Sequence, residues 1–477
     1  MNKKQLLFEN LFIYGFSSVV SKLIPFIFLP IVLNLLNSPS AYGIYTTYIT
    51  IIGFGTPLVI FGMYDAVFRE YFEFNDQEYK NKVLSTSLRF IFFTSIIIIF
   101  LFVIGSNLIA SLFGITDIKI IFLALVSIVI SGFSTIFAMP TRLKNDRKTY
   151  VIMSAIIPLI LYIFSLITLF YGFSYYGLIV ASLTSNFITL STYFILNNKY
   201  FNMKLYSKII LTKLLKVAIP LVPLFLIYWI YNSLDRIFIL QLLGLNDLGI
   251  YAVAAKFGSI SAILYSAFAG GFQHFSFSTM NESNQVKNNS NLLNLVLYFS
   301  ATSMLIMILI IDFLYKIFLP IDYIEASTST IYLFISPLLL LAFQIIANQF
   351  LIIRNTYILL FSLFIGLVFN VVLNFILIPI YGVLGASFAT FIGFYLNFIF
   401  ISLFSVKKKL IYISSQLILN SISILVISLV IFFFNELIIK IILVILTLLL
   451  LNFVNSNILS TIFDFFKFKF FRKTKLN

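Results

Sequence analysis

Six residues in this chain carry chemistry that their surroundings do not favour: Lys22, Arg236, Lys256, Asp235, Asn370 and Asn374, each set within an apolar run. A cation held in low dielectric counters an anion or serves as one half of a structural ion pair with a neighbouring helix. Lys22 is the deepest, about 11 residues from one end of its run and about 14 from the other, or about 16 to 21 Å at 1.5 Å per residue, too far to snorkel. Arg236 and Lys256 lie about 7 and about 6 residues from the ends of adjacent runs, within snorkelling reach. Asp235 stands at nearly the depth of Lys256, so a pair between them competes with an anion-facing role for the lysine. Asp235 and Arg236 diverge by about 100° on one helix, so at most one of them readily faces a given partner. Asn370 and Asn374 share a helix face, where amides hydrogen-bond between helices or touch a polar solute. The single histidine, His274, ends its run and reads as an interfacial side chain. With no cysteine there is no thiolate site and no disulfide, and neither a metal nor a cofactor is expected.

The elements that must position these groups follow from composition. Of 477 residues 61% are hydrophobic and only 10% charged, with mean hydropathy +1.09, against roughly 25% charged in a soluble domain. At about 20 residues per crossing the apolar share supplies roughly 14 helices. The reading is an all-α polytopic membrane protein with spans near 11–36, 41–66, 88–112, 118–140, 150–171, 174–197, 217–243, 250–274, 293–318, 329–351, 357–379, 383–405, 411–434 and 437–459. The runs are continuous rather than alternating, which excludes a barrel. The opening "MNKKQLLFEN" leads into a span too long for a signal peptide and is expected to be retained.

All of the 31 Lys and Arg residues except Lys22, Lys119, Arg236, Lys256, Lys316 and Lys440 fall at the termini or in alternate loops. Cationic loops resist translocation, so both termini are expected in the cytoplasm, with the chain in the cell's inner membrane. The net charge of +15 then reflects topology and attraction to anionic membrane lipid, and no nucleic-acid partner is expected.

Local motifs recur at nearly one spacing. "YYGLIVAS" (175–182) and "IYGVLGAS" (380–387) match at an offset of 205, "RKTY" and "RNTY" (from Arg147 and Arg354) at 207, and "YGIYTTY" and "LGIYAVA" (from Tyr42 and Leu248) at 206. Six helices separate the copies, so they share an orientation and form a parallel repeat about the membrane normal. The organisation expected is an N-lobe of six helices (1–197), a cytoplasmic linker (198–216), a C-lobe of six helices (217–405), and two extra C-terminal helices with a basic tail (406–477). Gly177 and Gly382 are expected to turn the chain, and Gly385 with Ala386 to admit close packing of the next helix.

The stretches "NVVLNFILIPIYGVLGASFAT" (370–390), "SLDRIFILQLLGLNDLGIYAVAAKF" (233–257) and "AYGIYTTYITIIGFGTPLVIFGMYDAVFREY" (41–71) resemble the polysaccharide-transporter family, the Wzx-like O-antigen and capsule flippases. Their superfamily also holds the MATE drug exporters and the lipid II flippases. The resemblance covers essentially the whole chain. It implies alternating access by two lobes, carrying an undecaprenyl-pyrophosphate-linked oligosaccharide from the cytoplasmic to the periplasmic leaflet, with polysaccharide polymerase machinery as a partner. A pyrophosphate crossing low dielectric needs cations, and Lys22, Arg236 and Lys256 are the candidates, with Asp235, Asn370 and Asn374 as polar contacts. The alternative is a MATE-like ion-coupled exporter of small organic cations, which would need acids where this chain places Lys22. An enzyme is disfavoured: no phosphate-binding Gly-x-x-x-x-Gly-Lys loop occurs, and the outward connections are short.

Overall fold

The computed structural model describes residues 3–278, 282–353 and 355–455. Arg354, the side chain of His274 and the basic tail from Lys467 to Lys475 lie outside the described residues. Within them the chain is helical: α1 (Lys3–Leu36), α2 (Pro39–Ile60), α3 (Met63–Tyr71), α4 (Gln77–Ile104), α5 (Ser106–Leu112), α6 (Ile118–Leu143), α7 (Arg147–Phe170), α8 (Ser174–Asn197), α9 (Lys208–Leu242), α10 (Leu245–Gly258), α11 (Ser261–Ser278), α12 (Gln285–Phe318), α13 (Ser327–Ile352), α14 (Thr356–Lys407), α15 (Ser415–Phe433) and α16 (Leu437–Val454). Among the described residues twelve helical stretches are long and apolar enough to cross a membrane. One of them, α14, is two helices folded at Gly382 (φ 57°, ψ −136°), and the broken pair α10 and α11 supplies a further crossing, which returns the fourteen expected.

The break between α10 and α11 falls where the chain meets α13. A Cβ on Gly258 would lie 2.7 Å from Leu333 Cβ, so α10 ends pressed onto α13. The freed carbonyls are taken by nearby serines, Ser259 Oγ donating to Lys256 O (2.7 Å) and Ser261 Oγ to Gly258 O (3.1 Å), which is how a membrane helix survives interruption. The second span expected, 41–66, is likewise two pieces, because Phe61 and Gly62 take left-handed conformations (φ 49° and 72°) between α2 and α3.

The glycines divide differently from expectation. Gly382 turns the chain as expected, whereas Gly177 is helical and the turn before it is made by Gly172 (φ 81°) and Ser174 (φ 45°). Gly177 does what Gly385 does. A Cβ on Gly177 would meet Thr168 Oγ1 at 2.8 Å and one on Gly385 would meet Leu377 O at 2.4 Å, so each seats its helix against the preceding one.

The chain forms two compact units, 1–253 and 254–477. In the first, α2 is central and packs against α4, α6, α8 and α9, while α7 lies between α1 and α8. The segment 198–207 is anchored on α4, with Asn202 N donating to Ser85 Oγ (2.9 Å) and Ser207 N to Thr86 Oγ1 (3.1 Å). The start of α10 crosses the start of α2 at two glycines: a Cβ on Gly43 would sit 2.0 Å from Leu245 O, and one on Gly249 1.9 Å from Pro39 O. In the second unit the largely buried α13 packs on α11, α12 and α14, and α12 carries α15 and α16.

Candidate functional site

Along α2 the tyrosines 42, 45 and 48 recur every third residue, which stacks them down one side of a helix. Their ring centroids are 6.0 and 6.2 Å apart. Tyr48 is fully buried and shares a 2.6 Å hydrogen bond with Ser127 Oγ of α6, and Ser182 of α8 faces both Tyr45 and Tyr48. Tyr162 of α7 lies beside Tyr42 and Tyr45, and its ring stacks on Phe28 of α1 at 5.6 Å. The interior of the first unit therefore holds a column of aromatic rings whose hydroxyls meet serines of neighbouring helices.

A cation from α9 also reaches α2. Arg236 Nη1 donates to Thr50 Oγ1 (3.4 Å), and about two turns earlier on α9 Trp229 Nε1 donates to Thr50 O (3.4 Å). Thr50 lies about 160° around α2 from Tyr48 but about 80° from Tyr42, and the guanidinium that α9 carries there acts on the Tyr42 hydroxyl. Its neighbour Asp235 is buried and points elsewhere, accepting from the Tyr251 hydroxyl of α10 at 2.9 Å. That divergence is the 100° separation expected from adjacent helical positions.

Lys22 stands half-buried in α1, 14 residues before Leu36, or about 21 Å of helix. Lys256 is exposed, two residues before the end of α10. Asn370 and Asn374 are buried between the two arms of α14, where Asn374 Nδ2 donates to Asn370 Oδ1 (3.2 Å) and Asn370 Nδ2 to Thr390 Oγ1 (3.3 Å). Arg236 is thus joined to the tyrosine column, and the two asparagines to each other. The tyrosine column and Trp229 were not singled out from the sequence, although the Tyr-x-x-Tyr-x-x-Tyr spacing within "YGIYTTY" was there to be read.

At one end of the first unit the cations lie on tyrosine rings. Arg142 donates to the Tyr64 and Tyr150 hydroxyls, the latter at 2.9 Å. Lys144 sits 3.6 Å from the Tyr200 ring centroid and Arg89 4.5 Å from that of Tyr206. Lys213 bridges the Glu70 carboxylate (3.3 Å) and the Tyr79 hydroxyl (3.3 Å), and Tyr79 itself donates to Glu70. At the opposite end Tyr176 donates to Asp117, which also accepts from Lys119 N (3.1 Å); these bonds, the tyrosine's foremost, hold the Asp117 carboxyl below the usual carboxylate range.

The second unit also joins tyrosines to hydroxyls, Tyr395 to Ser421 (3.1 Å) and Tyr315 to Thr330 (2.5 Å), and adds a set of amides. Asn420 Nδ2 donates to Asn294 Oδ1 (2.8 Å), Asn455 Nδ2 donates to Asn420 Oδ1 (2.9 Å), and Asn294 Nδ2 reaches Gln416 Oε1 (3.2 Å). Tyr298 donates to Asn452 (2.9 Å), and a buried Lys440 pairs with Asp312 at 2.6 Å. These contacts fasten α15 and α16 to α12.

Comparison with known proteins places this geometry. The family model for "Polysaccharide biosynthesis protein" matches residues 32–319. No curated protein matches the sequence. Among solved structures the chain is similar to the lipid II flippase MurJ in an inward closed conformation, with TM-score 0.68 and 20% identity over 94% of this chain and 99% of that one. It is also similar to an inward-facing multidrug resistance MATE family transporter of the MOP superfamily (TM-score 0.62, 17% identity, 82% and 98% covered). A third is a MOP superfamily transporter from Pyrococcus furiosus (TM-score 0.60, 15% identity, 86% and 98% covered). At these identities the likeness establishes a MurJ- and MATE-like fold.

Proposed function

Since the chain belongs to the polysaccharide biosynthesis protein family, we propose that it is a flippase for an oligosaccharide linked to undecaprenyl pyrophosphate, moving an O-antigen or capsule repeat unit from the cytoplasmic to the outer leaflet of the inner membrane. The observation that carries this reading is the Arg236 guanidinium, held by Thr50 and acting on Tyr42, the first member of the Tyr42, Tyr45 and Tyr48 column. A pyrophosphate needs a cation within the bilayer, where an uncountered charge costs at least about 2.5 to 3.5 kcal/mol, and sugars present apolar faces that aromatic rings cover. Lys22 supplies a second cation on α1 and Lys256 a third on α10. Asp235, held by Tyr251, orients α9 so that Arg236 faces α2. Asn370 and Asn374 hold the arms of α14 together and offer polar contact to sugar when those arms move.

Both termini lie in the cytoplasm on this reading, the repeat divides the chain at 198–216 into two six-helix lobes with 406–477 appended, and polymerase machinery receives the product. The protein performs transport without bond chemistry and without a cofactor. The test is a strain lacking this chain: lipid-linked repeat units should accumulate with their sugars facing the cytoplasm, and return of the gene should clear them. Normal surface glycan together with new sensitivity to organic cations would overturn this reading in favour of a drug exporter.

A further inference from the structure

A groove runs between α7 and α8, enclosing about 320 Å³ and lined by Thr149, Ile152, Ile156, Ile160, Thr192 and Leu196 among others. From Thr149 to Ile160 it extends about 16 Å along α7. It lies on the outer flank of the first unit. On α8 the buried Ser182 faces the tyrosines of α2 and Ser185 donates to Ile157 O, whereas Ile152, Ile156 and Leu196 in the groove are 41 to 44% exposed.

The mouth of the groove is basic. Lys148 adjoins Thr149 in the first turn of α7, and Lys199 follows Leu196 by three residues beyond the end of α8; both are exposed. Lys144 and Lys199 share the Tyr200 ring, at 3.6 and 5.4 Å from its centroid. The acid in this cluster, Asp146, is engaged as the cap of α7, accepting from Thr149 N (3.2 Å) and Thr149 Oγ1 (2.7 Å). An apolar slot that ends in lysines at a membrane surface has the form of a lipid site, chain in the slot and phosphate on the ammonium groups.

We propose that this groove binds one acyl chain of an anionic phospholipid from the leaflet at the unit's basic end, with the lipid phosphate held by Lys148 and Lys199. Two observations select a phospholipid over a long polyprenyl chain. The groove's length of about 16 Å matches half of a hydrocarbon core of about 30 Å, the depth one acyl chain occupies. Its direction, from the basic end toward the middle of the helices, is that of a lipid lying in its own leaflet. The site lies away from the tyrosine column and needs no substrate to fill it, so it stands or falls independently of the transported molecule.

The experiment places a tryptophan in the groove of the full-length protein, Ile156→Trp in a Trp229→Phe background, and reconstitutes it in vesicles of phosphatidylcholine. Quenching is then followed as brominated phosphatidylglycerol or brominated phosphatidylcholine replaces the host lipid. Half-quenching is expected at a roughly fivefold or greater lower mole fraction of the anionic lipid. The preference should vanish in Lys148→Glu with Lys199→Glu, and Leu196→Trp should report it from the opposite wall. A control Ile97→Trp on the exposed face of α4 should be quenched equally by the two lipids. Equal quenching in the groove, a preference that survives both charge reversals, or the same preference at Ile97→Trp would overturn the proposal. So would displacement of the brominated phosphatidylglycerol by an equimolar polyprenyl phosphate, which would assign the groove to the polyprenyl chain.

Discussion

The two units settle polar groups among helices in different ways. In the first, cations lean on rings and tyrosines meet serines: Arg142 between Tyr64 and Tyr150, Lys144 over Tyr200, Tyr48 on Ser127. In the second, tyrosines meet serines as well, Tyr395 on Ser421, but cations on rings give way to amides meeting amides across α12, α15 and α16. An amide pair has directional bonds that fix two helices in register, and each is worth about 0.6 kcal/mol and at most about 1.7. A cation on a ring keeps its charge available while its position is set, for about 0.5 to 1 kcal/mol at an exposed site. The difference teaches what each arrangement leaves available. The first unit keeps cations on its rings, where the proposed function needs them, and the second uses polarity to hold helices together.

The largest expected effect breaks the binding side of that comparison. If Lys22 and Arg236 counter an anion in transit, Lys22→Ala or Arg236→Ala should cut export by roughly two orders of magnitude, from the 2.5 to about 3.5 kcal/mol cost of an uncountered charge. Protein level should stay normal and Lys22→Arg should keep most export. Lys22→Glu should be worse than Lys22→Ala, because it adds repulsion. Full glycan output from a stable Lys22→Ala protein would remove Lys22 from the transport path.

The fastening side makes a prediction of sign. Lys440 is nearly inaccessible while Asp312 is about one-third exposed. Asp312→Ala strands a buried ammonium, and Lys440→Ala strands a carboxylate that water still reaches. The first should therefore destabilise more, by about 2 kcal/mol, and the double variant should recover part of the loss. Equal melting temperatures for the two single variants would show that the pair is hydrated.

A smaller effect sharpens the amide ladder. Asn420 bonds both Asn294 and Asn455, so Asn420→Leu should cost roughly 1 to 2 kcal/mol and loosen α15 and α16, read as faster proteolysis between 408 and 415, with α1 to α8 unaffected. The smallest effect concerns Asp117. Its folded carboxyl is held below the usual range, so its contribution is present above the unfolded value near 3.9 and fades as pH falls through the folded one. Tyr176→Phe should lower the melting temperature slightly at pH 6 and not at pH 2.5. An equal loss at both values would mean that the hydroxyl works without the charge.

Much of the helix count was legible because hydrophobic run length answers to the bilayer alone. The turn at Gly382 and the seat of Gly385 could be read from "IYGVLGAS", since only glycine accepts those conformations and contacts. The assignment of the other turn to Gly177 failed because the motif is shared while the conformation is not: Gly172 and Ser174 are displaced from it by a few residues. The break after Gly258 was equally hidden, for it depends on Leu333, about seventy-five positions away. The same holds for the site. Depth marked out Lys22, Arg236 and Asp235, but nothing in periodicity says that Arg236 and Trp229 share Thr50 or that Tyr251 holds Asp235. Those are contacts between helices, fixed by packing.

The crossing of α2 and α10 is a debt shared by two glycines. Gly43 and Gly249 stand in "YGIY" and "LGIY", 206 positions apart, and each faces the backbone of the other's helix. A Cβ at either would fall onto a carbonyl of the opposite helix, so the two positions carry one constraint between them. A side chain gained at one has no compensating change at the other, because glycine is already the smallest residue there.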